Sequence, residues 1–410
     1  MAGDRRRRRG DGAAPLRVRR LGEVLGPTAG AARQTLGALG LNSVTSFVAG
    51  VVLVALVPTF RRVPGLLVLM TPAIGLCGNV FTTFGNRLST AIHVGTFTPS
   101  LRTRGVVGQN LRAGFTLVMA MSVALAVMAR VLATVVGQRT VALPELVSIA
   151  VLGGLLGAVP NAGLTIGLTR VAVRRGWDLD NLVAPVVSTF GDVLTIPALW
   201  VASVAVARLG HEGWTCTALV GVTVLLVGRA VGAGPAELRR IVVESLPILL
   251  TALVLDTMGG LVLQRHLDAL DVLPAVFVLI PAFVSTGGAL GGILCGRVAT
   301  RFPGRAARRD VLFLAALSGP IFAFNGLGAF LFAPLSGSGS EPGLWWTTAV
   351  SLVAAAATMV AVVAISWWTT VGAWRIGVDP DSAGVPIMSA ATDVIGAAAV
   401  VAVVAALGLH

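Results

Sequence analysis

About eleven stretches of this 410-residue chain are apolar and long enough to cross a bilayer as helices, and this excludes most architectures at once. The runs fall near 43–60, 64–86, 112–136, 144–168, 182–207, 215–234, 245–264, 273–296, 311–334, 346–373 and 383–408. Hydrophobic residues make up 55% of the chain and charged residues only 12%, against about 25% charged in soluble domains. Fifty glycines and abundant alanine suit close helix–helix contact in lipid, where small residues let backbones approach. The strand alternation of an outer-membrane barrel is not evident. The expected fold class is an all-α polytopic membrane protein.

The net charge of +13 is carried by arginine alone, with no lysine in the chain. On a soluble protein such an excess would suggest nucleic acid. Here it follows the tendency of cytoplasmic loops to collect positive charge, and no nucleic-acid partner is expected. With the N-terminus inside and the runs alternating, only Arg61, Arg62, Arg130, Arg139, Arg208 and Arg265 of the 31 arginines fall outside. That bias supports eleven crossings, a cytoplasmic N-terminus, an extracytoplasmic C-terminus and residence in the cell membrane. Residues 1–40, beginning RRRRRGDGAAPLRVRR after four residues, read as a basic cytoplasmic tail touching anionic lipid. The three cysteines and four histidines lie far apart and form no metal spacing, and nothing points to an organic cofactor.

The chain repeats itself. RRGWDLDNLVAPVVSTFGDVLTIPAL (174–199) aligns without gaps to RIGVDPDSAGVPIMSAATDVIGAAAV (375–400), a shift of 201. CGNVFTTFGNRLST (77–90) aligns to GGALGGILCGRVAT (287–300), a shift of 210. Two matches in the same order, each at the same kind of membrane boundary, indicate duplication. The expected organisation is a five-helix repeat over 41–209, a linker crossing within 210–240 and a second five-helix repeat over 241–410. Five crossings would invert the second copy on direct fusion; the unpaired linker helix restores its orientation. The repeats are therefore parallel, related by a pseudo-two-fold axis along the membrane normal.

Within each fifth helix, Pro185, Ser188 and Asp192, and likewise Pro386, Ser389 and Asp393, are spaced by three and four residues along one face. Each proline also frees a backbone carbonyl one turn earlier. A charge at mid-bilayer costs at least ~2.5–3.5 kcal/mol, so a carboxylate there in both copies needs a reason. Two stripes meeting at the axis would offer carbonyl, hydroxyl and carboxylate oxygens to a hard divalent cation such as Mg²⁺, Mn²⁺ or Ca²⁺. Asp178, Asp180, Asp379 and Asp381 sit at the cytoplasmic starts of the same helices, as an acidic mouth that concentrates cations, with Asp180 and Asp381 alternatively serving as N-caps. In the second helix, Gly78, Asn79 and Thr82 interrupt the apolar run and are candidate pore-lining residues, with Gly288 at the position of Gly78 and Ala289 at that of Asn79. Asp256 has no acidic counterpart, because Ser46 aligns with it; it is a candidate coupling-ion or proton site, or a neutral buried acid.

Two other functions compete. A cation-coupled (Na⁺ or H⁺) carrier of a small organic anion would need cationic groups at mid-membrane, and no arginine lies there. An intramembrane enzyme would need a histidine or nucleophile near the acid pairs, and none accompanies them, so no enzyme is expected.

The motifs GNVFTTFGNRLSTAIHVGTF, DNLVAPVVSTFGDVLT and DPDSAGVPIMSAATDVIG resemble those of MgtE-type magnesium transport domains, and more closely the solute-carrier magnesium transporters that fuse two such domains. The resemblance covers roughly residues 43–408. It implies a pathway for Mg²⁺, with Mn²⁺ or Co²⁺ as further candidate ions, at the interface of two five-helix domains. It also implies that Asp192 and Asp393 form the central cation site. One chain supplies both halves, so a monomeric pseudo-dimer is expected to suffice, with a homodimer as the other assembly.

Overall fold

The computed structural model describes residues 29–95, 97, 100–102, 105–175, 180–210, 212–301, 307–339, 341–376 and 380–408. Eleven long helices fill them: α1 (Ala29–Ala55), α2 (Leu66–His93), α3 (Val106–Val135), α4 (Leu143–Arg175), α5 (Asp180–Leu209), α6 (Glu212–Gly232), α7 (Ala236–Arg265), α8 (Pro274–Arg301), α9 (Ala307–Phe332), α10 (Leu344–Ile376) and α11 (Pro380–Ala406). Among the described residues there is no strand. Ten of these helices are long and apolar enough to cross a membrane, and the eleventh, α5, has a shorter apolar portion at Val193–Leu209. The chain is thus an all-α polytopic membrane protein.

Each expected crossing matches one helix, with differences at the ends. The first helix begins at Ala29, inside the segment read as tail; its AGAARQTLGAL start has enough alanine, leucine, arginine and glutamine to offset two glycines and holds no proline. It also stops at Ala55 rather than near 60. Pro58 has no amide to donate, and the chain restarts there as a short helix, Val57–Arg62.

A short helix follows the first long helix in each half: Val57–Arg62 after α1, and Leu267–Asp271 after α7. Their starting residues lie 210 positions apart, the shift of the second-helix motif. Arg61 Nη2 donates to Asp271 Oδ2 at 2.6 Å and reaches Asp268 Oδ1 at 3.5 Å. Arg61 and Asp271 are themselves 210 positions apart, so the contact joins aligned residues of the two motif copies. The pair is solvent-facing and adds little stability by itself.

The helix contacts come in matching sets. Within the first half α5 packs on α4 and α2, and within the second α11 packs on α10 and α8. The first helices bridge the halves: α1 lies against α8 and α9 of the other half and α5 of its own, and α7 against α2 and α3 of the other half and α11 of its own. Glycines at equivalent positions permit both crossings. A Cβ at Gly50 would stand 2.5 Å from the Val278 carbonyl oxygen, and one at Gly260 would stand 2.9 Å from that of Val68. Gly50→Gly260 and Val68→Val278 are both shifts of 210. Gly260→Ala is therefore expected to lower the midpoint of thermal unfolding in detergent by a few degrees, from about 1–3 kcal/mol of overpacking. Gly228→Ala, with nothing within 4 Å, is the control that leaves it unchanged.

Burial orders the helices from the centre outward. Two-thirds (67%) of the α2 and α8 spans are buried inside the protein, against 11% of α6. The exposed side of α6 carries Trp214, Val222, Val224 and Leu225, as expected of a helix facing lipid, and it rests on α3, α4 and α7. The central helices α2 and α8 are those bearing the repeated second-helix motif.

Candidate functional site

At the centre of the bundle α7 is wedged between α2 and α11, and glycine makes both seats. Gly260 brings α7 against the α2 backbone at Val68. Gly259, one residue earlier, faces the backbone of α11: a Cβ there would lie 3.3 Å from the carbonyl carbon and oxygen of Asp393. Asp256 stands three residues before Gly259 on the same helical face. Its carboxyl group and that of Asp393 lie within hydrogen-bonding reach of each other. Asp256 is only 2% exposed, and its Oδ1 has no hydrogen-bond partner. On the α2 side it meets Gly75, where a Cβ would stand 2.8 Å from Asp256 Oδ2.

Asp393, read from the sequence as a cation ligand, is thus half-buried beside an acid that sequence reading left without a partner. Pro386 and Ser389 lie on the same helix, half-buried, with Ser389 Oγ 3.1 Å from where a Cβ of Gly288 would be. In the first half, a Cβ at Gly191 of α5 would stand 3.6 Å from the Cα of Gly78. Asn79 and Thr82 are half-buried, and Thr83 Oγ1 donates to the Asn79 carbonyl at 2.8 Å. The backbones of Asp180, Pro185, Ser188 and Asp192 lie in α5 and that of Asp381 in α11, but their side chains are outside the described residues. Asp178 and Asp379 lie outside them altogether.

One residue was missed by sequence reading. Asn161 of α4 is fully buried; its Nδ2 donates to the Gly157 carbonyl at 2.9 Å, and its Oδ1 has no partner. That oxygen is 3.8 Å from the Cβ position of Gly191, the residue before Asp192. A polar amide in the middle of an apolar helix was the available signal.

The equivalent crossing in the other half carries no charge. Asn42 Nδ2 donates to Ser285 Oγ at 2.8 Å, and Asn325 Nδ2 donates to Thr286 Oγ1 at 2.9 Å. Ser46 and Ser285 stand where the charged crossing has Asp256 and Gly75. The Ser46 hydroxyl is buried without a partner. The two halves therefore share a backbone arrangement but differ in what they put into it.

Toward the ends of α2 and α8 read as cytoplasmic, the aligned arginines are held differently. Arg87 Nη2 donates to Ser245 Oγ of α7 at 3.3 Å. Arg297 Nη1 pairs with the buried Asp310 at 3.3 Å and lies 3.9 Å over the Phe313 ring.

Among the described residues no three His, Cys, Asp or Glu side chains gather into a metal-binding group. The acids come as a pair, which suits a hard cation that keeps part of its water shell better than a zinc or copper cage.

The chain aligns to Solute carrier family 41 member 2 of Xenopus laevis with 24% identity over 380 residues, covering 83% of this chain and 65% of that protein. The human protein of the same name gives 24% over 380 residues, with 83% and 63% coverage. Solute carrier family 41 member 3 of Rattus norvegicus gives 27% over 251 residues, with 59% and 53% coverage. The chain thus spans a little under two thirds of the length of the first two of these relatives. No solved structure matches it. The family model MgtE, described as a divalent cation transporter, matches twice, over residues 70–202 and 280–403. Those two segments take in well over half of the chain and fall on equivalent helices of the two halves, so the chain belongs to the MgtE divalent cation transporter family.

Proposed function

We propose that this protein carries Mg²⁺ across the cell membrane through a pathway between two parallel halves. The first half is the repeat over 41–209 and the second that over 241–410, each with the helical extension at its start, and the crossing within 210–240 joins them. Asp192 of α5 and Asp393 of α11 bind the ion in transit. Asp178, Asp180, Asp379 and Asp381 draw cations to the cytoplasmic mouth. The work is transport, with no chemical conversion of substrate, and one chain supplies the whole pathway. Mn²⁺ and Co²⁺ are the other ions it would accept.

The observation that carries this reading is the carboxyl of Asp393 held beside a second buried acid, in a chain whose two halves each match a divalent cation transporter family. Two ionised carboxylates side by side repel strongly in a medium of low dielectric, and a divalent cation between them removes the conflict. Mg²⁺ gives up water reluctantly and is usually held by one or two carboxylates with several waters retained, so a pair of acids is a sufficient protein contribution. Inward movement of two positive charges at 100 mV, inside negative, is favoured by about 4.6 kcal/mol.

The test is growth and uptake in a strain that lacks its own Mg²⁺ transporters. Expression is expected to restore growth at low external Mg²⁺ and to give saturable Mg²⁺ accumulation. Running the assay with and without a Na⁺ gradient separates uniport from exchange. Growth and accumulation no better than with an empty vector would reject the proposal.

A further inference from the structure

We infer that Asp256 is the second carboxylate of the ion site at Asp393, so that the pathway has a divalent-cation site built on one side of the pseudo-two-fold axis. The inference rests on the reading of Asp393 as ion-bearing and adds to it a ligand from the first helix of the second half. Three independent features converge on it. Asp256 is 2% exposed and its Oδ1 has no hydrogen-bond partner, so a buried carboxyl oxygen stands unsatisfied at the bundle centre. Its carboxyl lies within hydrogen-bonding reach of Asp393 on a different helix. Gly75 of α2 lies directly against Asp256 Oδ2, where a Cβ would come within 2.8 Å of it, so glycine is what admits the carboxyl at this point.

The equivalent position in the other half shows what a structural version of the crossing looks like: Ser46 replaces the acid, Ser285 replaces the glycine, and neighbouring Asn42 bonds Ser285. The backbone arrangement is thus stable without a charge, and the acid is not there to hold the helices. An ion with part of its water shell, bridging Asp256 to Asp393 on the side of the unpartnered Oδ1, satisfies the open oxygen and cancels the repulsion. The bridging by the first helices makes this possible: α7 belongs to the second half yet also lies against α2 of the first, so one ion would touch both halves.

Asp256→Asn keeps the shape and hydrogen-bonding capacity of the side chain and removes its charge. In proteoliposomes it is expected to raise the Mg²⁺ concentration for half-maximal flux at least about tenfold, since even outer partners of metal ligands cost about 10–100-fold when lost. Mg²⁺-dependent thermal stabilisation in detergent is expected to weaken by the same factor. Gly75→Ala leaves both charges but pushes Asp256 Oδ2 from its seat, and is expected to raise the same concentration several-fold. Wild-type Mg²⁺ affinity in Asp256→Asn, with Asp393→Asn inactive, would overturn the inference and leave the proposed function standing; wild-type behaviour in both would overturn both. If Asp256→Asn yields no folded protein, Gly75→Ala decides, and an unchanged Mg²⁺ affinity in it overturns the inference.

Discussion

Asp393→Asn is expected to abolish Mg²⁺ flux through the reconstituted protein while leaving its helices folded. The two halves of that statement come from different physics. The flux depends on charge: a carboxylate about 4 Å from a unit charge contributes about 4 kcal/mol at an effective dielectric of 20, and more for a divalent ion. An amide offers only a dipole, so the site loses at least about a hundredfold in occupancy. The fold depends on shape: asparagine has nearly the same volume, and Gly259 still seats α7 against the α11 backbone at this position. Removing a charge from the membrane interior also removes a cost of about 2.5–3.5 kcal/mol, so thermal stability without Mg²⁺ should hold or rise. Flux by an entrapped Mg²⁺ indicator and unfolding in detergent read the two effects separately. Asp192→Asn is expected to behave the same way, and wild-type flux in both variants would reject the site.

The largest structural effect is expected from filling the seat of α1 in the second half. Gly50→Leu drives a branched side chain into the Val278 carbonyl, where even a Cβ would be 2.5 Å away. Gly328→Leu drives one into the ring of Phe47, which is fully buried in α1 and packs on Phe332 at 5.3 Å between centroids. The first obstacle is backbone and the second is a ring fully buried and held against Phe332, so the helices must separate. Each variant should cost more than the ~1–3 kcal/mol of ordinary overpacking, and should cut the yield of folded protein and lower the unfolding midpoint by well over five degrees. Gly37→Leu, with nothing within 4 Å of its Cβ position, is the matched control. Unaltered unfolding in both Gly50→Leu and Gly328→Leu would mean that α1 does not hold the halves together.

The helices were legible in the sequence because a membrane span is a local signal: a run such as SVTSFVAGVVLVAL carries the information in itself. The duplication was legible because gap-free matches survive at shifts of 201 and 210. The bridging by the first helices was not, since nothing in the spacing of α7 says that it packs on both its own half and the other. Asp256 consequently read as unpartnered: comparison with its aligned residue returned Ser46, and its actual neighbours Gly75 and Asp393 come from helices far along the chain. The GG pair at Gly259 and Gly260 marked a close backbone approach without saying to what. The start of α1 was also read late, because its early turns are less apolar than a span though they are good helix formers.

Mn²⁺ is the ion with which to look directly. Crystals of the intact protein grown with Mn²⁺, with data collected at the manganese absorption edge, are expected to give one anomalous peak within coordinating distance of Asp393. That peak should vanish on adding excess Mg²⁺ and in Asp393→Asn. A strong peak elsewhere in the bundle with none at Asp393, or a peak there that Mg²⁺ cannot displace, would contradict a Mg²⁺ pathway running past this residue.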